Sequence, residues 1–149
     1  MTRRAGDSQC CSMEPRALVH EEITRSAIGA FYEVYNTLGF GFLEHIYKLA
    51  LVRELNDRGH VVHRERLVNV YYKNRQLGRQ RIDLVVDNVL VVEAKSTVNL
   101  HAGARDQVHS YLRSTDLEIG LLLHFGPKPR FHRVRNARSS RARSESGVL

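Results

Sequence analysis

The chain has 149 residues, 42% of them hydrophobic, and carries a formal net charge of +7. That length and apolar content suit one domain with a real core. No apolar run is long enough to span a bilayer, and the basic, polar N-terminus lacks the apolar segment of a signal peptide, so a cytoplasmic protein is expected. The two cysteines, Cys10 and Cys11, are adjacent and outside every periodic segment, which excludes a disulfide framework or a zinc site built from them.

The charge is unevenly spread along the chain. Residues 17–127 hold thirteen Lys/Arg and thirteen Asp/Glu, which cancel; residues 1–16 add +1 and residues 128–149 add +6. The domain is therefore expected over residues 17–134, preceded by a disordered stretch at 1–16. It is followed by a basic Arg/Ser-rich tail at 135–149 that has no core-forming pattern.

Ile23, Ala27, Ala30, Phe31, Val34 and Leu38 recur at helical spacing, and Gly39 is the stop. A second helix starts near Leu43, presents Leu43, Ile46, Tyr47, Ala50, Leu51 and Leu55, and ends at Gly59. Strand signals run from Val61 to Tyr72, from Gln76 to Val86 and from Val89 to Ser96. Leu100, Ala104, Val108, Tyr111 and Leu112 mark a third helix ending by Thr115. Ile119 to Phe125 is an aliphatic strand, and Phe131, Arg133 and Val134 supply a short edge strand. The order α-α-β-β-β-α-β-β predicts an α/β fold with a mixed sheet flanked by helices.

Chemistry concentrates in the run Arg81-Ile82-Asp83-Leu84-Val85-Val86-Asp87-Asn88-Val89-Leu90-Val91-Val92-Glu93-Ala94-Lys95. Two aliphatic stretches around Asp87-Asn88 read as a hairpin buried on both faces. Asp83, Glu93 and Lys95 are nonetheless charged. A charge in such a strand costs several kcal/mol, as an order of magnitude, unless it is paired or binds a metal. Two carboxylates and an ammonium on one face make a hard-cation site with an amine beside it, which is equipment for metal-assisted phosphodiester hydrolysis. The bland alternative is an ion pair in which Lys95 merely neutralises Glu93. The shared-site idea also sets the turn. Asp83 and Glu93 do not face one side across a regular two-residue turn, so an odd loop of three or more residues, or a bulge, is expected around Asp87 to Val89.

Two further clusters have both bland and functional readings. Glu44, in Gly41-Phe42-Leu43-Glu44-His45-Ile46-Tyr47, either favours the helix start through the dipole or leans over the sheet as a third carboxylate. Gln107 and Tyr111 share one helix face and can both donate hydrogen bonds, to a phosphate or within the core. His45, His109 and His124 are the histidines whose positions in the chain would let them approach this site.

Gly41-x-x-Glu44-x-x-Tyr47, Asp83, Glu93-x-Lys95 and Gln107-x-x-x-Tyr111 together resemble the GxxExxY family of the PD-(D/E)XK nuclease-like superfamily. The likeness covers residues 17–134 and includes Tyr71-Tyr72-Lys73 and the run Gly120-Leu121-Leu122-Leu123-His124-Phe125-Gly126. Ala94 stands where leucine is more usual, and Ser110 where asparagine is frequent. The resemblance implies a restriction-endonuclease-like core and a Mg²⁺-dependent nuclease, with Mn²⁺ able to substitute, acting on nucleic acid, DNA first. It implies that Asp83, Glu93 and the Ala94 carbonyl bind the metal with support from Glu44. Lys95 would orient or deprotonate the attacking water, and Gln107 and Tyr111 would complete the site. A non-catalytic nucleic-acid-binding module of the same fold is the alternative.

Overall fold

The computed structural model describes residues 15–136; residues 1–14 of the expected disordered stretch and almost all of the Arg/Ser tail lie outside the described residues, while residues 15 and 16, expected in that stretch, already belong to the first helix. The elements are α1 (Pro15–Leu38), α2 (Glu44–Asp57), β1 (Val62–Tyr72), β2 (Arg75–Val86), β3 (Leu90–Lys95), α3 (Ala104–Ser114), β4 (Ile119–Phe125) and β5 (Pro129–Arg135). This is the expected order. One difference is at α3, which begins at Ala104: Leu100 belongs to the preceding loop, yet packs on the same core as the helix.

The strands form one sheet in the order β1-β2-β3-β4-β5, parallel between β3 and β4 and antiparallel elsewhere. A parallel neighbour needs a crossover, and α3 supplies it. β3 and β4 are buried along their length except at Lys95, because helices cover both faces. On one side α1 and α2 set Ala27, Phe31, Tyr47 and Leu51 against Leu84, Val92, Leu121 and Phe125. On the other, Val108, Tyr111 and Leu112 of α3 meet Ile82, Val91 and Leu122.

The two cores expose an irregularity in β2. Leu84 and Val86 belong to the α1/α2 side, but Ile82, which has the same parity, belongs to the α3 side. Strict alternation therefore fails at Asp83. The β1–β2 register skips the same point: Arg64 pairs with Leu84 and Arg66 with Ile82, whereas Glu65 has no bridge to Asp83 and adopts a left-handed φ of 50°. Both strands turn their faces over here.

The β2–β3 connection is the three-residue loop Asp87-Asn88-Val89, with Val86 paired to Leu90 and Leu84 to Val92. Asp87 and Asn88 have φ of 51° and 54°, values Asp and Asn tolerate better than other non-glycine residues. The odd loop that the shared site required is present.

Gly120 shows how closely α3 rides on the sheet. A Cβ added there would sit 2.6 Å from the Val108 side chain, whereas one at Gly78 would meet nothing within 4 Å. Gly120→Ala should therefore cost about 1–3 kcal/mol of stability through overpacking. Gly78→Ala should stay within about 0.5 kcal/mol. Urea unfolding of both variants checks the difference.

Candidate active site at the β2–β3 fork

The pairing of β2 with β3 reaches only as far as Leu84 and Val92. One residue further on the strands part, and Asp83 and Glu93 stand at the fork. The backbone N–H of Ala94, just past this pairing, donates instead to Asp83 Oδ2 at 3.2 Å. Asp83 is thus both a strand residue and a side-chain cap for the neighbouring strand.

Glu93 is 2% exposed. Its Oε1 lies 2.8 Å from Lys95 Nζ, and its Oε2 is buried with no hydrogen-bond partner. Burial, reinforced by the adjacent negative charge of Asp83 and opposed by Lys95, pushes the Glu93 carboxyl up to about 7. An orphaned, desolvated carboxylate oxygen beside a second carboxylate favours the arrival of positive charge.

The other cation in the cluster, Lys48, was not anticipated from the sequence. Its ammonium bridges Asp83 Oδ1 at 2.8 Å and Glu44 Oε1 at 3.0 Å. Burial works against charge on Lys48, but the hydrogen bonds it donates to Asp83 and Glu44, with their negative charge, outweigh it and hold the lysine above its ordinary value. The signal was available: Glu44 and Lys48 are four apart on one helix, the spacing that pairs opposite charges. Glu44 accordingly reaches the cluster through Lys48 rather than by touching Glu93.

A short loop positions Glu44. Gly39 and Gly41 have φ of 71° and 119°, where a side chain would be strained. Tyr47 is fully buried, stacks on Phe125 at 4.2 Å, donates to the Gly39 carbonyl and accepts from Phe42 N–H. Ser96 Oγ, one residue past Lys95, donates to the Phe42 carbonyl at 2.8 Å. The Gly-x-x-Glu-x-x-Tyr pattern is in this sense a clamp: its glycine and tyrosine hold the loop so that the glutamate arrives at the sheet.

From the opposite layer α3 contributes Gln107 and Tyr111. Gln107 Nε2 donates to the Tyr111 hydroxyl at 2.6 Å, which leaves that hydroxyl's own proton to be donated elsewhere. Burial, followed by the Glu93 charge, pushes Tyr111 up to about 12, so it stays a phenol at neutral pH. His45 and His109 are exposed. His124 pairs in register with Lys95, is buried, and donates from Nε2 to the Thr97 carbonyl.

Among the described residues no group of three or more His, Cys, Asp and Glu comes together as a ready metal cage. What does come together is two carboxylates, with a third one ammonium away. Such an all-oxygen set, with one oxygen unpartnered, fits a hard cation that keeps several waters rather than a fully caged ion.

A family model described as the PD-(D/E)XK nuclease superfamily matches residues 21–135. The chain belongs to the PD-(D/E)XK nuclease superfamily. Its mixed sheet with flanking helices is the restriction-endonuclease-like form of that superfamily. Of the solved structures, the crystal structure of SSO0001 matches with a TM-score of 0.51 and 20% sequence identity, over 81% of this chain and 61% of that one. The chain spans less than two-thirds of that structure's length, and at this identity the likeness concerns the fold alone. No curated protein matches the chain. Among the described residues no helix is long and apolar enough to cross a membrane.

The raised Glu93 carboxyl makes a signed prediction. Its ordinary value is 4.5 and its folded value about 7. Between them the folded protein holds a proton that the unfolded chain has released. Without divalent metal, the Glu93 contribution to stability should be fully present below about pH 4.5, fall as pH rises through this window, and level off above about pH 7. The loss should be on the order of 3 kcal/mol. Glu93→Gln should remove that fall, so urea midpoints of the two proteins, compared from pH 4.5 to 8, check it.

Proposed function

We propose that the protein is a divalent-metal-dependent nuclease that hydrolyses phosphodiester bonds of nucleic acid, DNA in the first instance. The narrower family we assign is GxxExxY, with residues 17–134 as the working unit. The observation that carries the reading is Glu93 Oε2, buried without a partner beside Asp83 and flanked by Lys95.

Asp83, Glu93 and the Ala94 main-chain carbonyl would hold Mg²⁺ or Mn²⁺. When bound, such an ion neutralises charge on the scissile phosphate and acidifies a water. The remaining work falls to this chain's own side chains. Lys95, 2.8 Å from Glu93, orients the attacking water, exchanges a proton with it and faces the charge that builds on phosphorus. Tyr111, kept protonated and held by Gln107, donates a hydrogen bond to a phosphate oxygen or a water. Glu44 steers Lys48. On this reading Lys48 balances the charge of Asp83, and Glu44 would keep a hold on its ammonium if a cation took its place.

One observation favours a second reading. Asp83 and Glu93 each already have an ammonium partner, Lys48 and Lys95, as in a purely structural ion-pair network. A protein of that kind would show neither a metal response nor cleavage, whereas a non-catalytic nucleic-acid-binding module of the same fold would bind nucleic acid in EDTA and cleave none.

Cleavage of single- and double-stranded substrates with Mg²⁺, Mn²⁺ or EDTA, run beside metal-dependent melting shifts, separates the two. Wild-type protein should cleave with metal and not with EDTA. Lys95→Ala should keep its melting shift and lose cleavage by about 10²–10⁴-fold. Lys95→Arg should rescue poorly, since a guanidinium does not release its proton. Asp83→Asn should lose both responses together. A wild-type protein with no Mg²⁺ or Mn²⁺ response in either assay contradicts the nuclease reading.

A further inference from the structure

The charge of residues 17–127 sums to zero, but the fold separates it. Residues 62–82, the bulk of the β1–β2 hairpin, hold six Lys/Arg and one Glu. Those numbers make this segment +5, and the other residues of the 17–127 stretch, seven basic against twelve acidic, are −5. Among the described residues, none of the six hairpin cations is in a salt bridge. All six are exposed and face solvent.

The two faces of the hairpin differ. Val68, Gln80 and Ile82 turn toward α3, with Gln80 hydrogen-bonded to Ser110 and Ser114. The opposite face carries the register pairs Leu67–Arg81, Asn69–Arg79 and Tyr71–Gln76, all six exposed. Tyr71 is 61% exposed and Leu67 52%. Gln76 donates to Asn69, and Asn69 to the Tyr71 hydroxyl, which steadies the ring. Arg79 and Arg81 share this face with each other, and the change of face at Asp83 comes just beyond them. At ~3.3 Å per residue β2 runs roughly 23 Å from Asp83 back to Gln76.

We propose that this outer face is the track on which a single-stranded segment of nucleic acid lies as it leaves the fork. Arg79 and Arg81 hold successive phosphates, and a base stacks on Tyr71. A row of guanidinium groups outside any salt bridge, with an exposed ring at its end, suits a strand whose bases are free to stack, and an unpaired base has two such faces to offer. This rests on the nuclease reading for its direction, but not for its measurement.

The test is fluorescence anisotropy of a labelled single-stranded oligonucleotide with the full chain in EDTA, where cleavage plays no part, over a range of salt. Arg79→Ala with Arg81→Ala should weaken binding about tenfold or more and flatten the slope of log K against log salt by about 1.4, the value for two phosphates. Tyr71→Ala should weaken binding about tenfold at unchanged slope, and Tyr71→Phe should restore it, because the ring is what stacks. Arg113→Ala, which removes an exposed charge at the end of α3, should do neither. Thermal melting confirms that each variant is folded.

A double arginine variant that binds like Arg113→Ala overturns the proposal. So does tighter binding of a duplex of equal length with no effect of Tyr71→Ala. Capture by phosphatidylserine vesicles without oligonucleotide binding would name the wrong occupant and overturn it too. Strand binding with the expected hairpin effects but no metal-dependent cleavage would remove the nuclease reading and leave the track standing.

Discussion

Two neighbouring carboxylates at a strand fork, one of them buried and not fully paired, are the constraint around which this domain is arranged. Asp83 and Glu93 stand where β2 and β3 separate, and one of them has an oxygen buried without a partner. Leaving a carboxylate in that condition costs the fold stability. The chain limits the cost with two lysines from different layers: Lys95 from the same strand, and Lys48 from α2. Neither removes the penalty, as the raised Glu93 carboxyl shows. A fold selected for stability alone would place an apolar residue at Glu93, as it does at its neighbours Val92 and Ala94.

The rest of the architecture keeps this fork rigid and reachable. β3 and β4 lie between two helical layers, so the strand bearing Glu93 and Lys95 has little room to move. The loop before α2 is tied at three points, by Tyr47 to Gly39, by Phe42 to Tyr47 and by Ser96 to Phe42. Through it, Glu44 and Lys48 are delivered from the α2 side while Gln107 and Tyr111 come from α3. The change of face at Asp83 is what lets groups from both layers meet: a strictly alternating β2 would have pointed Ile82 and Leu84 the same way.

Much of this was legible in the sequence, for identifiable reasons. Aliphatic runs with turn residues between them fixed the strand order. A charge in such a run is costly enough to be noticed, which is how Asp83, Glu93 and Lys95 stand out. Parity then demanded an odd loop, and Asp87-Asn88-Val89 provides it. The change of face was not legible, because it depends on a left-handed Glu65 in the partner strand and no glycine marks the place. Lys48 did not stand out because an i,i+4 pair with Glu44 reads as an ordinary helix-surface ion pair, and only the fold brings Asp83 to it. Leu100 read as helical because it packs on the same core as α3 while belonging to the loop before it.

Charge is where counting along the chain misleads most. A zero sum over residues 17–127 conceals a basic ribbon set against an acidic remainder, and only the pairing of β1 with β2 reveals which cations share a face. Ribbon and fork are joined through β2. The most direct test of the central claim is the position of a divalent ion in a crystal of the protein grown with Mn²⁺, located by its anomalous scattering. The account predicts an ion at roughly 2.1 Å from carboxylate oxygens of both Asp83 and Glu93, with the Lys48 ammonium no longer on Asp83. A fork without Mn²⁺, with Lys48 on Asp83 and Lys95 on Glu93 as in the metal-free protein, would contradict it.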